Sequence, residues 1–166
     1  MNGGFVANGN ETQEAGIVIE PQVRVGPIEF RIDEKKLEQL MGPSIRKLPM
    51  SYDRYLFVYA GQIDTVVLHK QYGVVGVSIS IAPVSIKGPI EGRNLLSMSG
   101  TELVDWLDDK AVAYTLSDSK SNAEFVDVEI PDWSVIVYLH NGQVDGVEAA
   151  FGTWKYGRLV EAFTDS

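Results

Sequence analysis

Enzyme chemistry draws on side chains that hold a proton, a metal or a nucleophilic electron pair, and this chain has few of the usual ones. It contains no Cys and two His, His69 and His140. Disulfides, thiolate nucleophiles, Cys-based zinc sites and c-type haem attachment are therefore excluded. No Gly-x-Ser-x-Gly or His-Glu-x-x-His stretch sets a base beside a nucleophile or a metal. Neither His is assigned a catalytic role, and His140, just before an Asn-Gly pair, reads as a surface residue. Paired carboxylates remain, because a glycosidase-type site needs only two at the right separation. Asp64 and Asp145 are the candidates, although each stands just past an expected hairpin turn, where Asp supports the turn or is solvated. Gly73 and Gly76 have the wrong spacing for a phosphate cradle, and no helix follows them. No cofactor and no metal are expected.

Acidic side chains are what the chain has in excess. Its 166 residues include 14 Lys+Arg and 23 Asp+Glu, a net charge of −9, which argues against a surface built to grip nucleic-acid phosphates. The excess is uneven: through Gly92 there are 9 basic and 10 acidic residues, and from Arg93 onward 5 and 13. Asp105, Asp108 and Asp109 gather on one expected helix, Asp127 and Glu129 point the same way from one expected strand, and Asp132 follows closely. Solubility accounts for part of this. The sharper reading is a docking surface for a basic protein, where complementary fields raise the association rate. Tyr55, Phe57 and Tyr59 share one face of an apolar strand and form a candidate aromatic anchor, with core packing as the plainer account.

The elements that must position these groups follow from periodicity. Residues 1–15 are rich in Gly, Asn, Glu and Thr and read as a flexible tail. Val23 to Ile32 alternates as half-buried strands broken at Gly26-Pro27. Asp33 caps a helix carrying Leu37, Leu40 and Met41, which Gly42-Pro43 stops. After a turn-rich loop to Asp53 come strands at Tyr55–Tyr59 and Ile63–Lys70. Val75, Val77, Ile79 and Ile81 then alternate with Gly76, Ser78 and Ser80, the pattern of a strand with one wet face. Ala82 to Asn94, with Pro83, Gly88, Pro89 and Gly92, has linker composition. Ser99 and Glu102 form a capping box for a helix through Leu103, Trp106 and Leu107. Ser117 to Asn122 reads as a polar loop, Val126 to Ile130 as a strand, and Val135 to Phe151 as a hairpin turning at Asn141-Gly142. A segment from Gly152, with Trp154, Tyr156, Leu159, Val160 and Phe163, is expected to fold back over apolar surface.

Tyr59 to Val66 can be laid over His140 to Val147, sharing Gly-Gln-(Ile/Val)-Asp-x-Val. Each stretch follows a β-rich run and, farther upstream, a short amphipathic helix. This suggests a duplication, with an insertion around Ser117 to Asn122 in the second copy. A helix ending in Gly-Pro (Leu37 to Pro43), then an aromatic strand and hairpin (Tyr55 to Leu68), resembles one repeat of the β-lactamase-inhibitor-protein-like architecture. That resemblance implies a helical element packed on antiparallel sheet, a unit that occurs in tandem in secreted inhibitors and singly in small outer-membrane assembly lipoproteins.

Together these readings lead to an α+β fold: two helices packed on antiparallel β-sheet as two similar helix-plus-hairpin halves, 16–92 and an acidic 93–166. The function expected is a non-enzymatic protein-binding module, an acidic inhibitor or immunity-type protein that occludes a basic partner such as a toxin or enzyme. One alternative is a scaffold component acting as a homodimer through Val75–Ile81. Another is a small hydrolase or isomerase using Asp64 and Asp145. No stretch approaches the roughly 18 apolar residues of a membrane span, and no membrane partner is expected. The first sixteen residues lack the basic and apolar regions of a secretory signal, so a cytoplasmic location is expected.

Overall fold

A computed structural model describes residues 16–88, 92–119, 122–152, 154–155 and 158–159. The expected tail, 1–15, and the side chains of the segment after Gly152 lie outside the described residues. The chain opens with three short strands, β1 (Ile17–Glu20), β2 (Arg24–Val25) and β3 (Ile28–Glu29), and then helix α1 (Glu34–Met41). Strands β4 (Arg46–Met50), β5 (Arg54–Val58), β6 (Thr65–His69) and β7 (Gly73–Ile79) follow, then β8 (Val84–Ile86) and helix α2 (Gly100–Asp109). A second run of strands, β9 (Thr115–Ser119), β10 (Asn122–Ile130), β11 (Val135–His140) and β12 (Gln143–Ala150), is followed by a small antiparallel pair, β13 (Trp154–Lys155) and β14 (Arg158–Leu159). The fold is α+β.

One eight-stranded sheet, in the order β4-β5-β6-β7-β12-β11-β10-β9, dominates, and each pair of neighbours is antiparallel. Strand β7 lies at its centre, paired with β6 on one side and β12 on the other. The expectation that Val75–Ile81 has a wet face or a free edge is therefore corrected. Small residues at Gly76 and Ser78 do not signal water: a Cβ on Gly76 would come 3.7 Å from Glu148 Oε2 and 3.5 Å from Val67 Cβ, so the vacated space is filled by neighbouring strands. Strand β4 falls where a loop was expected, because an edge strand reading Arg-Lys-Leu-Pro-Met lacks regular alternation. Likewise, most of the expected polar loop 117–122 belongs to the β9–β10 pair. A second sheet runs β3-β2-β1-β8, and its parallel β1–β8 pair places part of the Ala82–Asn94 passage in a strand.

Both helices pack on the same face of the large sheet, and their signals are local. The Asp33 side chain accepts from the Lys36 N–H and caps α1, whose Leu37 is 1% exposed; Gly42, at φ +75°, ends it. In α2, the Ser99 Oγ accepts from the Glu102 N–H while the Glu102 carboxylate accepts from the Ser99 N–H. Leu103, Trp106 and Leu107 are buried against Val128, Val137 and their neighbours in one continuous core. Each helix is pinned around its N-terminal end to the start of a strand. The Arg31 N–H donates to the Val74 carbonyl and the Val74 N–H to that of Ile32. Correspondingly, the Gly100 N–H donates to the Gly142 carbonyl and the Val144 N–H to that of Met98.

The short sequence match between residues 59–66 and 140–147 does not correspond to this arrangement. The first stretch connects β5 to β6, the middle pair of its four strands, through a six-residue loop, residues 59–64. The second connects β11 to β12, the last pair of its four, through a two-residue turn with positive φ at Asn141 and Gly142. The common Gly, Gln and Asp reflect turn chemistry at two non-equivalent hairpins.

Candidate functional site

Helix α2 buries Leu103, Trp106 and Leu107, and so 3.6-residue periodicity turns Asp105, Asp108 and Asp109 outward, where all three are exposed. Asp108 accepts a hydrogen bond from the Tyr114 hydroxyl at 3.0 Å, and Asp109 lies 3.9 Å from the Lys110 ammonium. Beside the helix, toward the β9 edge, the sheet extends past what ten helical residues cover. There a groove of about 350 Å³ is lined by Val104, Leu116, Val126 and Leu139, with Asp105 at its rim. Leu116 is 55% exposed. Asp105 and this groove, with Asp108 farther along the same helix, form a candidate binding surface of the second half.

The other expected acidic residues are elsewhere. On β10, Val128 and Ile130 point into the helix-covered core, so Asp127 and Glu129 project from the opposite face. Asp132 sits in the 3-10 turn Pro131–Trp133 that joins β10 to β11. The expected single acidic patch is thus divided between the two sides of the sheet. The aromatic anchor is also redistributed. Phe57 is 5% exposed and belongs to the core, while Tyr55 and Tyr59 are half-buried against it. The Lys47 ammonium lies 4.7 Å from the Tyr55 ring centroid and 5.4 Å from that of Phe57. Burial, with Glu34 and Glu38 nearby, pushes the Tyr59 hydroxyl above its usual pKa.

A cluster that sequence reasoning missed occupies the helix-free face. Asp127, Tyr138 and Glu148 come from β10, β11 and β12, and the Tyr138 hydroxyl donates to Glu148 Oε1 at 2.5 Å. Burial pushes the Glu148 carboxyl above the usual carboxylate range, against the Tyr138 hydrogen bond and the charge of Arg54, while Asp127 adds repulsion. Burial also raises Asp127, and burial together with Glu148 raises Tyr138 strongly. Arg54, 6% exposed, donates through Nε to the Ser51 carbonyl and is itself lowered by burial. The available signal was a lone carboxylate, Glu148, among the apolar residues at the end of β12.

His69 is buried, and its Nδ1 accepts from the backbone N–H groups of Gln71 and Tyr72 at 3.0 and 3.3 Å. His140 Nε2 lies 2.7 Å from Glu124 Oε2, and its ring stacks on Phe125 at 4.5 Å. Asp64 ends the loop ahead of β6 and Asp145 lies on β12, strands between which β7 runs, and among the described residues no hydrogen bond joins that pair. Among the described residues no group of His, Asp and Glu is arranged to hold a metal.

Neither a family model nor a curated protein matches the chain. Two solved structures are similar at 12% identity and a TM-score of 0.42: an extracellular protein containing an SCP domain from Bacillus anthracis and a cysteine-rich secretory protein from Staphylococcus aureus. The alignments cover 72% and 79% of this chain but 43% and 49% of theirs, so it spans less than half the length of either. These neighbours are not β-lactamase-inhibitor-protein-like, which corrects the resemblance expected from sequence. Their descriptions read extracellular and secretory and give no support to the cytoplasmic location or to the inhibitor and immunity roles expected from sequence, which are withdrawn. Likenesses this distant assign no activity, ligand or partner to the chain.

Proposed function

We propose that the chain is a non-enzymatic protein-binding module that receives a basic protein at the corner formed by α2 and the β9–β10 edge. The observation that carries this is the juxtaposition of Leu116, 55% exposed in an apolar groove, with Asp105 on the groove's rim. An apolar centre with a charged rim is the anatomy of a protein interface. The surplus of 13 acidic over 5 basic residues from Arg93 onward steers a basic partner toward this half.

The test is affinity capture with the wild-type chain and with a Leu116→Glu, Asp105→Lys double variant. Basic proteins retained by the wild type, absent from the variant and released as salt approaches roughly 1 M, where the screening length is about 3 Å, support the proposal. Equal retention by both chains, or retention insensitive to salt, overturns it.

We also infer that 16–92 and 93–166 are two copies of one helix-plus-four-strand unit. The supporting relationship is the matched anchoring of Arg31 and Ile32 to Val74 and of Gly100 and Met98 to Gly142 and Val144. A chain split between them should give two fragments that reassociate through β7 and β12; fragments that remain separate and unfolded would count against two units.

A further inference from the structure

Strand β9 ends the large sheet, and among the described residues no strand pairs with its outer edge. Such an edge presents backbone donors and acceptors to another chain. The opposite edge, β4, is poorly suited to that role: Pro49 lacks an N–H, and Arg46 and Lys47 stand on the strand. The β9 sequence, Thr-Leu-Ser-Asp-Ser, has no proline and no basic residue.

Register assigns different chemistry to the two sides of that edge. Leu116 is opposite Val128, which is buried beneath α2, so Leu116 faces the helix side and its apolar groove. Ser117 is opposite Asp127 and Thr115 opposite Glu129, so on the other side a low row of Thr and Ser is backed by two carboxylates. An added strand lies about 4.8 Å beyond β9 and alternates its side chains between these sides. The carboxylates of β10 are then two strand spacings away, about 10 Å, a gap that long basic side chains and the carboxylates span between them.

We propose that β9 binds an extended segment of a partner protein by strand addition, and that the segment alternates apolar and basic residues. Apolar side chains enter the Val104, Leu116, Val126 groove, and Lys or Arg side chains reach Asp127 and Glu129. This inference rests on the protein-binding reading above and adds the mode of contact and the pattern recognised. It also gives the division of acidic residues between two faces a use: Asp105 flanks the groove side, and Asp127 and Glu129 serve the other.

The probe is the capped peptide Lys-Val-Lys-Val-Lys-Val, titrated against the full chain with backbone and methyl NMR and amide hydrogen exchange. The expected result is slowed exchange within Thr115–Ser119 and shifts at the Leu116 and Val126 methyls. Leu116→Glu, and separately the Asp127→Asn, Glu129→Gln double variant, should each weaken binding at least tenfold. A Glu-Val peptide and a peptide N-methylated on its Val residues should not bind. Protection confined to other strands, equal binding of the N-methylated peptide, or no binding of Lys-Val overturns the inference. So does a concentration-dependent dimer that buries β9 and resists the peptide. The two readings separate with any protein captured at the corner. If Leu116→Glu abolishes its binding but excess Lys-Val peptide does not compete, strand addition fails and the corner reading survives; if Leu116→Glu has no effect, the corner reading fails.

Discussion

The Tyr138 hydroxyl donates to Glu148 Oε1 at 2.5 Å across the β11–β12 pair, on the sheet face away from both helices. Burial holds that carboxyl above its ordinary pKa of 4.5, so the folded state favours its protonated form. A group raised on folding contributes stability that is fully present below the unfolded value and is lost as pH rises through the folded value. Glu148→Gln removes the ionisation and keeps a carbonyl to accept from Tyr138. The variant should be more stable than wild type at pH 7, with the difference closing below about pH 4.5. A net gain of about 1 kcal/mol would raise Tm by roughly 2–4 °C in a chain of this size. Urea midpoints across the pH range check it, and a pH-independent difference would sink the idea.

Gly73 opens β7 at φ +81°, and a Cβ there would overlap the carbonyl oxygens of Arg31 and Ile32. These carbonyls belong to the segment pinned to Val74 ahead of α1. Gly73→Ala therefore adds backbone strain to a clash that the main chain must relieve by moving. A loss of about 2–4 kcal/mol is expected, measured by chemical denaturation. Gly61 has nothing within 4 Å of its Cβ position, so Gly61→Ala serves as the control and should cost little.

His69 Nδ1 accepts from two backbone N–H groups in the β6–β7 turn. Neutral His69 must then carry its proton on Nε2, and protonating Nδ1 would break both bonds. Burial lowers its pKa below 6.5, while Asp53 opposes and Arg54 reinforces that shift. Between the folded value and 6.5 the unfolded chain holds more protons, so His69 withdraws stability as pH falls through that window. Imidazole nitrogen shifts should show the Nε2–H tautomer at pH 7 and titration below 6.5. A predominant Nδ1–H tautomer would contradict the turn geometry.

Both helices were legible because their signals are local: Asp33, the Ser99–Glu102 box and the apolar stripe at Leu103, Trp106 and Leu107 each act within a turn. Asn141-Gly142 announced its hairpin for the same reason. Edge strands were not legible, since β4 contains Pro49 and two cations, and β9 is mostly Ser, Thr and Asp. The centre of the sheet misled in the opposite direction. Alternation at Gly76 and Ser78 is what a solvated face looks like in one dimension, but Glu148 and Val67 fill that face from neighbouring strands. The acidic surplus was countable from the sequence, whereas its division between two faces depends on cross-strand register, which composition does not encode.

Leu107 and Leu116 separate folding from recognition. Leu107 is fully buried in the core beneath α2, and Leu116 is 55% exposed on β9. Leu107→Ala removes packed apolar atoms and leaves a cavity, costing about 2–5 kcal/mol. Leu116→Ala removes a side chain whose surface is mostly in water already, and its cost should stay within roughly 0.5 kcal/mol. Thermal unfolding of the two variants gives the comparison. If Leu116→Ala destabilises the chain as strongly as Leu107→Ala, the groove beside α2 is part of the core, and the exposed leucine loses its place in the binding proposal.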